Sequence, residues 1–521
     1  MSATSGYVSP TGVVFSTAVV PENEKPTEKV EKNEVTASVN AVDSAESSRA
    51  PSIRDAEKGE RTLADQDRAL AKYLVPTLEK GRKNALLKKP TPWTRFRVWF
   101  NPYRMMFVIT FTLNMVAIIV SCVHYNYWVY AERNAAALAL GNLTAAVACR
   151  NEFFLRYFVY WPLVKLFQKW PPLWYRIFLT AFVQHIGGIH SGTAASAVGW
   201  LFFLIIRTFQ RHHINHTPAV VLAWGVITLT VVNVTMFAAT PWIRAHHHNF
   251  FEQHHRFAGW LATVFVWIYV CIDDSYNTTT GKFHSNGNHL AQRQEFWYAL
   301  FITVLIGIPW LTVRKVPVEI TTPSPRVAII KFNKGVQQGL LGRISRTSIF
   351  EYHGFGIISE GVASKTHYII AGVQGDWTRG LVADPPKHLY TREMKFAGLP
   401  YLCHLYRRGI AICTGSGIGA VLSTCAQLDN WFLIWIGSDM EKTFGPVLFD
   451  MIHRTIPKER YILFDTKLAG RRPDTMKMLK DIYVAFKAEV VIITSNPSGN
   501  AELMQGCKEH GMHSFGPLWD S

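Results

Sequence analysis

From Met105 to Val123 the chain reads MMFVITFTLNMVAIIVSCV, with no charged residue. A stretch of that length can cross a hydrocarbon core of about 30 Å. A backbone placed there has no water to bond, so it must close its hydrogen bonds internally, as a helix does. Further apolar stretches run through Ala135–Cys149, Ile177–Leu204, Val220–Thr240, Phe250–Cys271 and Phe296–Val313, which predicts six spans. Charged residues make up only 17% of the chain, below the roughly 25% of soluble domains. The seven cysteines include no Cys-x-x-Cys pair, so neither a zinc site nor a disulfide framework is indicated. Residues 1–92 read as a disordered cytosolic tail ending in a basic juxtamembrane segment, because the stretch from about 20 to 70 is rich in Glu, Lys, Ser and Ala and nearly lacks aromatics.

Basic residues set the expected orientation. Lys80, Arg82, Lys83, Lys88, Lys89, Arg95, Arg97 and Arg104 precede the first span. Arg150, Arg156, Lys165 and Lys169 mark the next cytosolic loop, Arg244 and Arg256 the one after, and Arg314 and Lys315 follow the last span. Both termini are then cytosolic. Asp273 and Asp274 fall on the outer side, with two glycosylation sequons at Asn215 and Asn277. Pro218 behind the first sequon makes Asn277 the better acceptor. The basic excess, a net charge of +17, is largely juxtamembrane, so the expected partner is the lipid bilayer and not nucleic acid. A plasma-membrane location is favoured over internal membranes.

After Pro325 the pattern changes. VAIIKF, FGIIS and HYIIAGV read as short strands of a β-barrel. AICTGSGIGAVLSTCAQL reads as strand, glycine turn and helix. Gly415, Gly417 and Gly419 would let the backbone approach a pyrophosphate at a helix N-terminus. WFLIWIG, YILFD and AEVVIITSN have the continuous apolar character of parallel strands covered on both faces.

Glu351-Tyr352-His353-Gly354-Phe355-Gly356-Ile357 resembles the His-Pro-Phe-Thr flavin motif of the ferric reductase and NADPH oxidase superfamily. Gly375-Asp376-Trp377-Thr378-Arg379 resembles the segment beyond it that opens a helix toward the FAD pyrophosphate. Gly415–Gly419 resembles the family's nicotinamide nucleotide loop, and Gly470-Arg471-Arg472-Pro473-Asp474 a later nucleotide-side motif. Over residues 93 to 521 the chain is most similar to fungal TmpA-type membrane flavoproteins, a divergent branch linked to redox signalling in asexual development. The resemblance implies a six-helix membrane domain at 93–315, a flavin-binding barrel at 316–405 and an α/β nicotinamide-nucleotide domain at 406–521. It implies FAD bound through His353, Phe355, Thr378 and Arg379, NAD(P)H bound at Gly415, Gly417 and Gly419, and Trp519 stacked on the isoalloxazine. The departures are Gly356 for a hydroxyl residue, Ala420-Val421 for Thr-Pro, and Ser495-Asn496-Pro497 for Cys-Gly-Pro, so no catalytic side chain carries over.

The implied function is electron transfer from NAD(P)H to FAD and on to an unidentified small-molecule acceptor, in signalling for conidiation or in a secondary-metabolite pathway. A non-catalytic sensor or scaffold on a degenerate reductase fold stays open. A haem-containing ferric reductase and a membrane di-iron desaturase or hydroxylase are less favoured, although His185, His190, His212, His213, His216, His246, His247, His248, His254 and His255 crowd the membrane half. Haem-binding relatives carry two histidines on each of two parallel spans. At the family's spacing His190 finds Arg176, His185 finds Gly199, and His254 and His255 find Ile268 and Tyr269. On the span boundaries above, His190 lies well along its helix and His254 near the start of another. That is a mismatch of roughly ten residues, about 15 Å, so no metal site and no haem are expected.

Overall fold

The computed structural model describes residues 92–517 apart from 124, 278, 285 and 286. The tail 1–91 and Trp519 lie outside the described residues. Seven helices organise the first half: α1 (Pro102–Val123), α2 (Tyr125–Ala148), α3 (Leu173–Gln184), α4 (Gly187–Asn215), α5 (Ala219–Ala238), α6 (His248–Ser275) and α7 (Gln294–Leu311). By length and composition five of them can cross a membrane: α1, α4, α5, α6 and α7. The expected second span, α2, is long enough but carries Glu132, Arg133 and Asn142. Its alanines at 131, 135 and 139 are fully buried in the bundle, so it is covered mainly by its neighbours.

The expected third span is wrong in register. The chain breaks at His185 and Ile186, and the membrane-length helix starts at Gly187. Packing explains the break: a Cβ on Gly188 would lie 2.2 Å from the Tyr103 carbonyl oxygen, so only glycine lets the start of α4 press onto the start of α1. Residues 173–184 instead form the separate helix α3, seated on the C-terminal half. There Arg176, 2% exposed, grips Glu489 through two bonds of 2.7 and 2.8 Å and donates to the Leu405 carbonyl at 2.8 Å. Glu152, also buried, pairs with both Arg343 and Arg392. Segment 150–186 therefore sits at the same end of the bundle as the C-terminal half, and so does 244–256, where Arg256 donates to the Ile349 and Phe350 carbonyls at 2.9 Å.

That half begins with a curled antiparallel sheet: β1 (Val313–Pro317), β2 (Glu319–Ser324), β3 (Val327–Asn333), β4 (Leu340–Ser345), β5 (His353–Ile358), β6 (Thr366–Gly372), β7 (His388–Arg392) and β8 (Phe396–Ala397), in the order β1-β7-β4-β5-β6-β3-β2 with β8 on β4. Helix α8 (Asp376–Ala383) follows β6. Then come β9 (Gly409–Thr414), α9 (Ile418–Gln427), β10 (Trp431–Gly437), β11 (Tyr461–Asp465), β12 (Val490–Thr494) and β13 (Ser514–Phe515). These five strands are all parallel, in the order β11-β10-β9-β12-β13. The apolar runs meet the expectation: every residue of β11 and the first six of β10 are buried. One apolar core joins Ile330 and Ile369 of the curled sheet to Leu422 of α9 and to Leu433 and Trp435 of the parallel sheet.

Candidate functional site

Numbered by chain order within the parallel sheet, the strands run 3-2-1-4-5. Connections leave in opposite directions from β9 and from β12, so a crevice opens beyond their carboxyl ends, the place where ligands bind in such sheets. Those ends are Thr414 and Thr494-Ser495, and the Thr414 Oγ1 and Ser495 Oγ hydroxyls bond across the crevice at 2.7 Å. The glycine loop follows Thr414. Gly415 has φ +52° with open space around its missing Cβ, whereas a Cβ on Gly417 would meet the Thr494 carbonyl oxygen at 2.4 Å. The first glycine supplies a left-handed turn and the second a close approach. Gly419 opens α9 and faces the curled sheet.

There it meets β5. A Cβ on Gly356 would lie 2.3 Å from the Gly419 carbonyl oxygen and 2.5 Å from the Ala420 Cα. The missing hydroxyl at Gly356 thus has a steric cause: two backbones pack there without side chains between them. His353 and Phe355 precede that contact on β5 and face Trp377, with ring centroids 4.3 and 5.9 Å from its indole. Burial holds the His353 imidazole below its ordinary pKa, against the pull of the nearby Glu252 and Glu351 carboxylates. Trp377 Nε1 is buried and lacks a hydrogen-bond partner among the described residues, while His353 Nε2 has only the Glu351 carboxylate, 3.7 Å away. A flavin, rich in ring nitrogens and carbonyls, fits a cleft with an orphaned indole N–H and an imidazole held only by a distant carboxylate.

Thr378 and Arg379 are placed less directly. The Thr378 hydroxyl accepts from the Gln374 and Gly375 N–H groups at 3.0 and 3.2 Å, so it caps its own helix. Arg379 is 70% exposed and leans on Asp376, 3.4 Å away. Trp377 was missed as a cleft wall, although the Asp-Trp-Thr motif contains it. Of the sequon residues, Asn277 is exposed and its Oδ1 accepts from the Thr279 N–H at 2.8 Å. Asn215 closes α4, two residues before the buried Thr217.

The membrane histidines require a correction. His190 stands in the first turn of α4, not well along it, because the helix starts ten residues later than expected. His190 and His255 lie side by side, with ring centroids 6.3 Å apart. Each is held by its Nδ1: His190 on the Ala146 carbonyl at 2.8 Å and His255 on the Thr235 carbonyl at 3.2 Å. A carbonyl can only accept, so Nδ1 carries the proton and Nε2 is bare. Both rings line a cavity of about 440 Å³ with apolar walls that include Val147, Val232 and Ile302, roofed by Arg150, Arg343, Arg392 and Tyr352. Tyr352 directly precedes His353, and its N–H donates to Glu252 at 3.3 Å. Cavity and flavin cleft are therefore adjacent. No group of three or more metal-ligating side chains occurs among the described residues.

Residues 399–521 match a family model described as the adenylate-forming reductase 03009 C-terminal domain. Adenylate-forming reductase 06235 of Coprinopsis cinerea is 29% identical over 429 residues, covering 81% of this chain and 40% of that protein. Adenylate-forming reductase 03009 of the same fungus is 28% identical over 426 residues, with the same two coverages. The chain thus spans about two fifths of the length of the curated relatives it matches. Among solved structures, a ferredoxin-NADP+ reductase from Plasmodium falciparum with 2'P-AMP aligns with 39% of this chain and 95% of its own, at 13% identity and a TM-score of 0.30. Full-length CYP116B46 from Tepidiphilus thermophilus covers 87% of this chain and 76% of its own, at 8% identity and a TM-score of 0.35. At such scores the fold assignment rests on the strand orders above.

Proposed function

We propose that this chain is an integral membrane flavoprotein oxidoreductase of the ferric reductase type, close to the TmpA branch, with its C-terminal half in the cytosol. The observation that carries the reading is the glycine loop at the switch point of the parallel sheet, packed backbone to backbone on the strand bearing His353 and Phe355. FAD would sit against His353, Phe355 and Trp377, its pyrophosphate near the N–H groups that open α8. NAD(P)H would bind over Gly415, Gly417 and Gly419. FAD supplies a hydride acceptor that can release electrons one at a time. The protein's part is to hold the two rings in register across the Gly356–Gly419 contact and to keep water out with Trp377. The curated relatives carry "reductase" in their names, and the shared region corresponds in this reading to their reducing part. Its setting would be redox signalling in asexual development or secondary metabolism. Anaerobic mixing of detergent-purified, flavin-loaded protein with NADH and with NADPH tests the proposal. Bleaching of the flavin absorbance is expected with at least one of them, and none with either would leave a binding or scaffold role.

A second reading concerns haem, and the histidine pair favours it. Two imidazoles on one iron, at about 2 Å per metal–nitrogen bond, hold their ring centroids roughly 6 Å apart, close to the spacing of His190 and His255. Both Nδ1 atoms are tied back to carbonyls, as in many metal-ligating histidines, and the cationic roof suits propionates. One haem, not a transmembrane pair, is what these two residues could hold. A Soret band lost in both His190→Ala and His255→Ala would establish it, and protein without haem after expression with excess precursor would exclude it.

A further inference from the structure

A second cavity, of about 400 Å³, opens at the end of β6 opposite the flavin cleft. Its wall is built from the loop after β3, the hairpin after β7, and Arg156 from the helical segment between α2 and α3. Lys334 holds a left-handed backbone at φ +78°, rare for a residue with a side chain. Two bonds of 2.6 Å fix it there: its N–H donates to the Lys365 carbonyl, and its own carbonyl accepts from His367 Nδ1. His367 is 4% exposed and stacks flat on Phe332, with centroids 4.9 Å apart. Its Nε2 is buried without a partner among the described residues. Backbone strain and an unsatisfied buried acceptor in one wall are features expected of a ligand site more than of packing.

The charges are as unusual as the backbone. Arg156, Lys334 and Lys395 line the cavity, against the single carboxylate of Glu393. Lys395 donates to Thr391 Oγ1 at 2.7 Å and to the Arg392 carbonyl at 2.9 Å, which leaves one of its three protons uncommitted. Arg156 donates to the Lys395 carbonyl at 2.6 Å. Among the described residues, none of the three cations has a carboxylate within 4.0 Å. The deeply set Arg176 and Arg392 are paired, with Glu489 and Glu152, whereas Arg156 and Lys395 are half-buried here without such a partner and Lys334 is exposed. Burial also pushes the Lys395 ammonium down to about 8, with neighbouring Lys334 acting in the same direction and Glu393 against it.

We propose that this cavity binds a phosphate-bearing organic anion, with the phosphate among Arg156, Lys334 and Lys395 and its apolar body against Phe332, Val336 and Val362. Arginine and lysine are the side chains best suited to phosphate oxygens, and each would gain the counter-charge it lacks. The site is separate from the flavin cleft and does not depend on hydride transfer. Because Arg156 comes from the helical half and both lysines from the curled sheet, the bound anion would tie the two together. A soluble phosphate ester and an anionic lipid headgroup both present this chemistry.

Lys395 provides the readout. With an ammonium titrating near 8, it should be acylated readily by an anhydride at pH 8, and mass spectrometry can follow it in the detergent-purified full chain. Four conditions are compared: ribose 5-phosphate, ribose, nanodiscs containing phosphatidic acid, and nanodiscs of phosphatidylcholine alone. At least tenfold slower acylation of Lys395 is expected with ribose 5-phosphate or with phosphatidic acid, and whichever protects identifies the source. Lys334→Gln should abolish that protection while flavin content stays unchanged. Amide exchange over 334–337 should slow under the same condition, which keeps the test valid if Lys395 acylates slowly throughout. Protection by neither phosphate probe, equal protection by ribose or phosphatidylcholine, or full protection in Lys334→Gln would each overturn the proposal.

Discussion

The two halves of the molecule distribute polar groups in opposite ways. The parallel sheet has an apolar interior: Ile410, Ile412, Leu433, Ile434 and Ile493 are fully buried, and its one buried charge, Asp465, sits at the end of β11 with its carboxylate accepting from the N–H groups of Asp439, Met440 and Lys467. The helical bundle keeps polar groups inside, where Asn142 donates to Asn114 at 2.9 Å, Trp200 donates to the same oxygen at 3.0 Å, and His190 and His255 face a cavity. Leu113, Ile119, Phe209, Val234 and Phe237 point outward, each more than half exposed. Water would favour the first arrangement and lipid the second. The comparison locates the weak point of the molecule at the junction, where buried charges must be matched between an apolar-cored half and a polar-cored one.

The largest effect is therefore expected at Glu152. Burial alone would raise its carboxyl pKa, but Arg343 and Arg392 hold it below the ordinary value. Glu152→Gln leaves two guanidiniums without their counter-charge, and breaking a buried pair in this way costs about 3–5 kcal/mol. Thermal melting in detergent should show the C-terminal half separating from the bundle at a lower temperature. An unchanged melting profile would mean the junction is held by apolar contacts alone.

Next comes a pH effect inside the curled sheet. Burial holds the His367 imidazole at about 4, against an ordinary 6.5. As pH falls the unfolded chain takes up the proton first, so the stability contributed here is complete above about 6.5 and is lost progressively toward 4. The upper bound by linkage is about 3 kcal/mol. Denaturation midpoints between pH 7 and 4.5 should fall in the wild type and fall less in His367→Phe, which keeps the stack on Phe332. A parallel decline in both would place the acid sensitivity elsewhere.

Gly356→Ala should have a smaller effect, of about 1–3 kcal/mol, because the added methyl forces the backbones of β5 and α9 apart. Its signature would be selective. Hydride transfer should slow by far more than stability falls, since small displacements between reacting rings cost orders of magnitude in rate. Equal, modest losses in both would argue against a cofactor pair straddling this contact.

Legibility in the sequence followed the same division. The strands of the parallel sheet were readable because each is a short apolar run ended by Gly, Asp or Ser, and burial on both faces leaves one interpretation. The glycine loop was readable for the same reason, while the cause of Gly356 was not, because it lies in a partner 63 residues away in sequence. In the helical half, hydropathy could not separate Ile177–Gln184, which covers the nucleotide half, from a span, since both are equally apolar. Only Gly187-Gly188 marks the break, and reading it so requires knowing that Tyr103 lies against it. That single register error displaced His190 by about a third of a span and concealed its pairing with His255.

The smallest effect is expected at Arg379, and it bears on how far a motif can substitute for a structure. By resemblance this arginine holds the FAD pyrophosphate, and a charge-assisted bond of that kind contributes roughly 1.5–3 kcal/mol. In the folded chain its guanidinium is 70% exposed and shared with Asp376, one turn earlier on the same helix. An exposed pair of that kind contributes at most about 1 kcal/mol, so Arg379→Ala should leave the melting temperature nearly unchanged. Its effect on FAD should be correspondingly limited, a few-fold loss of affinity in titrations of deflavinated protein, and weaker still at high salt because the contact is screened by water and ions. Thr378→Val should do more, since its hydroxyl caps α8 and thereby sets the direction of the N–H groups that would meet the pyrophosphate. A loss of a hundredfold or more in Arg379→Ala, with Thr378→Val near wild type, would reverse this order and restore the arginine to the role the motif alone implies.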